Sequence, residues 1–124
     1  MVQAAFPYPE SNVRTWMKAH LPAYPLYGPE LPASIADLVR LGVFLSDPDR
    51  VLLFGSQARG SAAPWSDWDL AFVGIRDRGG FTRLRIDVEE EPITLRDVDL
   101  VPFEEAGAGL QEEILRDGVV LYEK

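Results

Sequence analysis

The 124-residue sequence contains no cysteine. A disulfide framework, a thiolate zinc site and a cysteine nucleophile are therefore excluded, and the lack of thiols fits a cytoplasmic protein. Histidine occurs once, as His20. Basic residues are few: 12 Lys and Arg stand against 20 Asp and Glu, for a net charge of −8. Non-specific nucleic-acid binding needs a cationic surface, so no direct nucleic-acid partner is expected. Long apolar runs are also missing. The longest are stretches such as Leu41–Leu45 and Leu70–Ile75, far short of the ~18 residues of a membrane span, and no membrane association is expected. The opening MVQAAFPYPE has neither the basic n-region nor the apolar h-region of a signal peptide. Internal repeats and low-complexity tracts are absent too.

What is present is the composition of an ordinary globular protein, 47% hydrophobic and 26% charged, at a length that suits one domain. The charge is uneven. Residues 1–50 hold five acids and four bases, whereas residues 51–124 hold fifteen acids and eight bases, so −7 of the net −8 lies in the second part. An acidic surplus of this kind can hold divalent cations, although a merely solvated acidic surface accounts for the count equally well. Proline is concentrated at the start: Pro7, Pro9, Pro22, Pro25, Pro29 and Pro32 all precede residue 33. The expected organisation is a Pro- and aromatic-rich N-terminal extension over residues 1–32 and a domain over residues 33–124.

Apolar spacing predicts the elements. Val13, Trp16, Met17, His20 and Leu21 fall on one helix face, with Ser11 as N-cap. A second helix is expected from about Ser34, itself a capping residue, to Leu45, with Pro48 beyond its end. Arg50–Phe54 reads as a buried strand running into a tight turn at Gly55-Ser56, and residues 57–60 as one helical turn or a loop. Asp67–Val73 is a second strand, placing Asp67, Asp69, Ala71 and Val73 on one face and Trp68, Leu70 and Phe72 on the other. Residues 76–80 are expected to be a turn. Phe81–Glu91 fits helix or strand, with helix favoured, and Pro92 ends it. Arg96–Val101 reads as a third strand and Glu104–Arg116 as a helix with Leu110, Ile114 and Leu115 inward and Gly118 after its end. Val119–Tyr122 is a short final strand. Alternating strands and helices indicate an α/β sandwich.

Three weak signals converge within this frame. Gly55-Ser56 ends a strand, Asp67 and Asp69 share a face of the next, and Asp99 lies mid-strand in Val98-Asp99-Leu100-Val101. Two close carboxylates repel unless a cation lies between them. Oxygen ligands suit Mg²⁺, which takes one or two carboxylates plus substrate phosphates. A third carboxylate on a neighbouring strand completes the donors for a two-metal site. Gly55 lets the backbone approach a triphosphate, and the Ser56 hydroxyl with the turn amides can donate to it.

The stretch FGSQARGSAAPWSDWDLAFV, with VDLV downstream, resembles the minimal nucleotidyltransferases of the DNA polymerase beta superfamily. The matching positions are Gly55, Ser56, Ala58, Arg59, Gly60, Ser66, Asp67, Asp69, Leu70 and Asp99, and the tail from Leu110 to Tyr122 looks like that family's ending. The resemblance covers roughly residues 35–124. It implies an α/β (α+β) fold, a small mixed sheet with helices packed on it. It also implies that Asp67, Asp69 and Asp99 are catalytic and bind two Mg²⁺ ions, and that Gly55 and Ser56 hold a nucleoside triphosphate, expected to be ATP. Arg59 joins the nucleotide-binding set, with a salt bridge bracing the loop as its alternative role. Ser66 joins it too, with capping or orienting the Asp strand as the alternative. In size the chain is similar to the antitoxins of HEPN–minimal-nucleotidyltransferase pairs, which attach AMP to a tyrosine of the HEPN ribonuclease toxin. A HEPN-type toxin is therefore the partner the resemblance implies. The N-terminal extension departs from the family pattern.

Two other functions stand beside this one: an antitoxin that acts by contact alone, and a small-molecule, aminoglycoside-like nucleotidyltransferase. Among the remaining residues, His20 is expected to be packed or half exposed rather than catalytic. Trp68 is expected in the core, and Trp65 in loop packing rather than at the nucleotide. Glu89-Glu90-Glu91 reads as a solvated helix end. Phe6, Tyr8, Tyr24 and Tyr27 form either an arm wrapped on its own domain, which is favoured, or a partner-binding strip.

Overall fold

Strand order explains how distant parts of the sequence meet. In a computed structural model, which describes residues 13–90 and 93–124, four strands form one mixed sheet in the order β3-β2-β1-β4. The elements run α1 (Val13–His20), α2 (Ala33–Ser46), β1 (Arg50–Phe54), α3 (Gly55–Arg59), β2 (Trp68–Val73), α4 (Arg78–Glu90), β3 (Val98–Pro102), a 3-10 turn (Phe103–Glu105), α5 (Ala108–Asp117) and β4 (Val119–Glu123). β1 is central and antiparallel to both β2 and β4. β3 lies parallel to β2 across α4, as a parallel pair requires a long crossover. The mixed sheet carrying helices is the α/β (α+β) arrangement expected from the sequence.

The period-two alternation of β2 sorts the core into two sides. Trp68, Leu70 and Phe72 join Val51 and Leu53 of β1, Leu38, Val39 and Leu41 of α2, and Phe81 and Leu84 of α4. Ala71 joins Leu52, Phe54, Val101 and Ile114 on the other side. The N-terminal segment contributes to the first cluster. Val13 is fully buried, and Trp16, Met17, Leu21, Tyr24 and Leu26 pack against it. The Tyr24 ring meets the Tyr122 ring edge-on at 5.8 Å, and Tyr27 N–H donates to the Leu121 carbonyl at 2.8 Å. Residues 13–27 thus behave as an arm laid on its own domain; Ser11, Phe6, Tyr8 and Pro92 lie outside the described residues.

Several local expectations are corrected. Ser34 does not cap α2: its hydroxyl donates to Thr94 Oγ1 at 2.8 Å, tying the helix start to the segment before β3, and Pro32 holds the cap position. The turn expected over residues 76–80 already contains the first turn of α4. Asp77 caps that helix, its carboxylate accepting from Gly80 N–H at 2.8 Å, which sequence spacing alone did not reveal. The helix expected from Glu104 is split, because a 3-10 turn ends at Glu105 and α5 begins only at Ala108, after Gly107. Leu115 is exposed rather than inward, while Ile114 is fully buried. Gly118 ends α5 in an extended conformation (φ −66°), so no left-handed cap is used there. The third strand starts at Val98, two residues later than expected.

At Gly42, α2 comes close to the sheet. A Cβ there would lie 2.7 Å from the Phe72 ring and 3.1 Å from Leu84. Gly42→Ala is therefore expected to destabilise the fold by about 1–3 kcal/mol, the usual cost of overpacking a filled core. Urea unfolding followed by circular dichroism reads this; an unchanged midpoint would contradict the packing described.

Candidate active site

Pairing register, not sequence proximity, builds the acidic centre. Asp69 lies opposite Asp99 in the parallel β2–β3 ladder and opposite Phe54 in the antiparallel β1–β2 ladder. Phe54 is followed directly by the turn into α3. The Asp69 carboxylate therefore has Asp99 on one side and Gly55 on the other. Gly55 is buried with φ +76°, and a Cβ there would collide with Asp69 Oδ2. Both the left-handed backbone and the occupied space demand glycine.

Asp69 is half-buried, while Asp67, just before β2, and Asp99 are exposed. The Asp69 carboxyl is pushed up to about 6, first by burial and then by the charges of Asp99, Asp67 and Glu113, with Arg59 opposing the shift. Glu113, on α5, is an acid that reading by spacing did not assign. Its signal was its place in the tail Leu110–Tyr122, which matched a family pattern without pointing to a particular side chain.

The other expected site residues are distributed as follows. Ser56 is the second residue of α3, and its carbonyl accepts from Gly60 N–H and, at 3.0 Å, from Ser61 N–H, closing the loop. Arg59 turns toward α5, pairing with Asp117 at 3.2 Å and approaching Glu113 at 4.0 Å. The bracing role left open for Arg59 is thus present in the fold. Ser66 closes the loop before β2: its hydroxyl accepts from Ala63 N–H at 2.9 Å, and its carbonyl from Gln57 Nε2 at 3.3 Å. Trp68 is in the core as expected, whereas Trp65 is 81% exposed and does not pack into its loop. Leu95, on the segment leading into β3, is 96% exposed. His20 is exposed, 5.6 Å from the Trp16 ring.

Among the described residues, no group of three or more acids or histidines is already arranged as a cation cage. The donor set nevertheless fits a hard divalent cation. Asp69, raised by burial and then by its acidic neighbours, gains with them from a cation between the carboxylates, and Mg²⁺ habitually takes only one or two carboxylates, filling its shell with water and substrate phosphates. Asp67, Asp69 and Asp99 are the residues that would hold it.

Residues 44–124 match the family described as Polymerase beta, Nucleotidyltransferase. That match spans more than half of the chain, and the protein belongs to this family of nucleotidyltransferases. Among solved structures, the chain is similar to one described as a toxin-antitoxin with AMP-PNP, at 24% identity and a TM-score of 0.53, over 74% of this chain and 73% of that one. It is also similar to a mutant of the toxin-antitoxin MntA-HpeT, at 19% identity and a TM-score of 0.46, over 74% and 72% of the two chains. No curated protein matches it. The family match and the first of these structures agree with the polymerase beta-like fold that the motif implied.

The crowding of Asp69 makes a signed prediction. Its folded-state value of about 6 exceeds the ordinary 3.8, so the ionised carboxylate weakens the fold above that window and the cost disappears as pH falls through it. Asp69→Asn is expected to raise the thermal midpoint at pH 7 in cation-free buffer. That advantage should shrink as pH drops from about 6 and vanish below 3.8, where the native residue becomes protonated in both states. A midpoint difference that stays flat across these pH values would refute the raised Asp69 carboxyl, which burial and then the neighbouring carboxylates produce.

Proposed function

We propose that this protein is a Mg²⁺-dependent nucleotidyltransferase that moves AMP from ATP to a hydroxyl of a protein partner, as the antitoxin of a HEPN-type toxin. The observation that carries the reading is the Asp69–Asp99 pairing beside the Gly55 turn, with Asp67 adding charge to the same carboxylate. It brings the three acids and the turn of the sequence motif to one end of the sheet. Gly55 and Ser56 receive the triphosphate, where a side chain at position 55 would block its approach. Bound at Asp67, Asp69 and Asp99, Mg²⁺ would neutralise the triphosphate and favour the ionised form of the acceptor hydroxyl. The acceptor oxygen forms a bond to the α-phosphorus as the bond to pyrophosphate breaks. Asp99, exposed on the edge strand β3, takes the hydroxyl proton.

A macromolecular acceptor is supported by what surrounds the acids. Trp65 and Leu95 lie on the segments that enter β2 and β3, and both are exposed. Large exposed apolar side chains beside a reactive centre suit a partner that brings its own surface. The net charge of −7 over residues 51–124 opposes an RNA acceptor. The likeness in fold to a toxin-antitoxin with AMP-PNP supports an adenine nucleotide and a toxin partner.

Co-expression with the product of the adjacent reading frame, followed by size exclusion and intact mass after addition of ATP and Mg²⁺, tests this. Co-elution and a partner heavier by one AMP are expected. Asp99→Asn should still bind Mg·ATP through Asp67 and Asp69 yet transfer at least ~100-fold more slowly, as for loss of a positioned base. Native transfer rates in that variant would refute the role of Asp99. Co-elution without a mass increase would replace the enzyme by an antitoxin acting through contact.

A further inference from the structure

β3 closes one side of the sheet, and among the described residues no strand lies beyond it. Its pairing with β2 decides which of its backbone groups stay open. Trp68 N–H donates to the Asp97 carbonyl at 2.9 Å, and the register is parallel, with Asp69 opposite Asp99. Backbone groups alternate in direction along a strand. Those of Asp97, Asp99 and Val101 therefore turn to β2, and those of Val98, Leu100 and Pro102 turn outward. Pro102 has no N–H to offer, as suits a free edge. The Leu100 carbonyl is already taken by Arg85 Nη2 at 3.1 Å. Ahead of Pro102 the Val98 N–H, the Val98 carbonyl and the Leu100 N–H are left, and among the described residues no backbone group bonds to them. Beside them lies a cleft of about 290 Å³, lined in part by Arg85, Asp99, Leu100 and Pro102.

These open groups prescribe an occupant. A strand laid parallel to β3 has one residue opposite Asp99. The N–H of that residue donates to the Val98 carbonyl and its carbonyl accepts from the Leu100 N–H, while the residue two before it accepts from the Val98 N–H. All the open groups are then used, and the Leu100 carbonyl is left to Arg85. An antiparallel strand in the same place would need that carbonyl as well. A second copy of the chain would also bring its own Asp97 and Asp99, both exposed, against the same acids, and like charges across a strand pair are unfavourable. Residues directly opposite share a face of the sheet. A side chain opposite Asp99 thus stands beside its carboxylate, across β3 from Asp69. Leu95, exposed just ahead of β3, adds apolar contact for a protein chain.

We propose that the edge of β3 docks the acceptor segment of the protein partner as an added parallel strand, with the acceptor hydroxyl on the face of Asp99. The proposal rests on the reading of Asp99 as the residue that takes the hydroxyl proton, and it says how the partner is held there. Main-chain bonds supply the affinity, and the side chains along the cleft set the register.

The test uses isotope-labelled full-length protein with the product of the adjacent reading frame. Amide hydrogen exchange is followed residue by residue by NMR, with and without that product. The Val98 and Leu100 amides should exchange at least about tenfold more slowly in the complex, while those of Asp99 and Val101, already bonded to β2, change less. Val98→Pro removes one open donor at an edge position, where proline is tolerated. Its KM for the partner should exceed that of Val98→Ala, which keeps the N–H, by about tenfold, the upper range for one hydrogen bond. The exchange measurement needs no variant and decides the matter if Val98→Pro does not fold. AMP transfer with unchanged exchange at Val98 and Leu100, or with equal KM in the two variants, would overturn the edge docking and leave the transferase reading in place. Slowed exchange without transfer would support the docking and overturn the transferase reading. Slowing already present in a dimer of the protein alone would assign the edge to a second copy and overturn the proposal. Absence of any complex would overturn both.

Discussion

Electrostatic repulsion between Asp69 and its neighbours is the constraint on which the functional end of this protein turns. Strand pairing sets Asp69 beside Asp99, and the chain adds Asp67 two residues away. The fold accepts the cost because the apolar ladder beneath holds the register: Leu70 and Ala71 of β2 pair with Leu100 and Val101 of β3, and all four are buried. A one-residue slip would turn those side chains to the wrong sides of the sheet. The same packing that stabilises the protein therefore keeps its carboxylates in an unfavourable arrangement, which a divalent cation and a triphosphate are suited to relieve.

The two faces of the sheet carry different burdens. Helices α2 and α4 and the N-terminal arm build the larger cluster around Phe72, Phe81 and Leu121. The other face is thinner and rests largely on Ile114 and Leu110 of α5. The Arg59–Asp117 pair links α3 to α5 on that side. Because Arg59 is about half exposed, solvent limits its worth as a stabilising contact. It serves better to hold the loop after Gly55 in place than to strengthen the fold.

Much of this architecture was legible in the sequence. The two-residue period of β2 sorted Trp68, Leu70 and Phe72 from Ala71, and the apolar run of β1 marked a buried strand. The motif residues identified the family because their spacing reflects a strand, a turn and a second strand. What escaped were interactions between segments far apart in the chain. Ser34 looked like a cap, but its hydroxyl found Thr94 sixty residues on. Asp77 looked like part of a turn, but it starts α4. Leu115 fitted the apolar spacing of α5, yet it is exposed while its neighbour Ile114 takes the buried place. The closeness of Glu113 to Asp69 depends on how α5 settles against the sheet, which spacing within α5 does not encode.

The position of β1 has a kinetic consequence. β1 pairs with β2 through the short link containing α3, but its other edge is closed by β4, with Leu53 opposite Val119, about half the chain away. Pairings between such distant segments form late, because the intervening chain must first surrender its freedom. Until β4 arrives, the apolar run Val51–Phe54 presents an open strand edge to any neighbouring molecule. During synthesis that edge stays open until the residues of β4 have left the ribosome, so the strand at the centre of the finished sheet is also the one most prone to early misassociation.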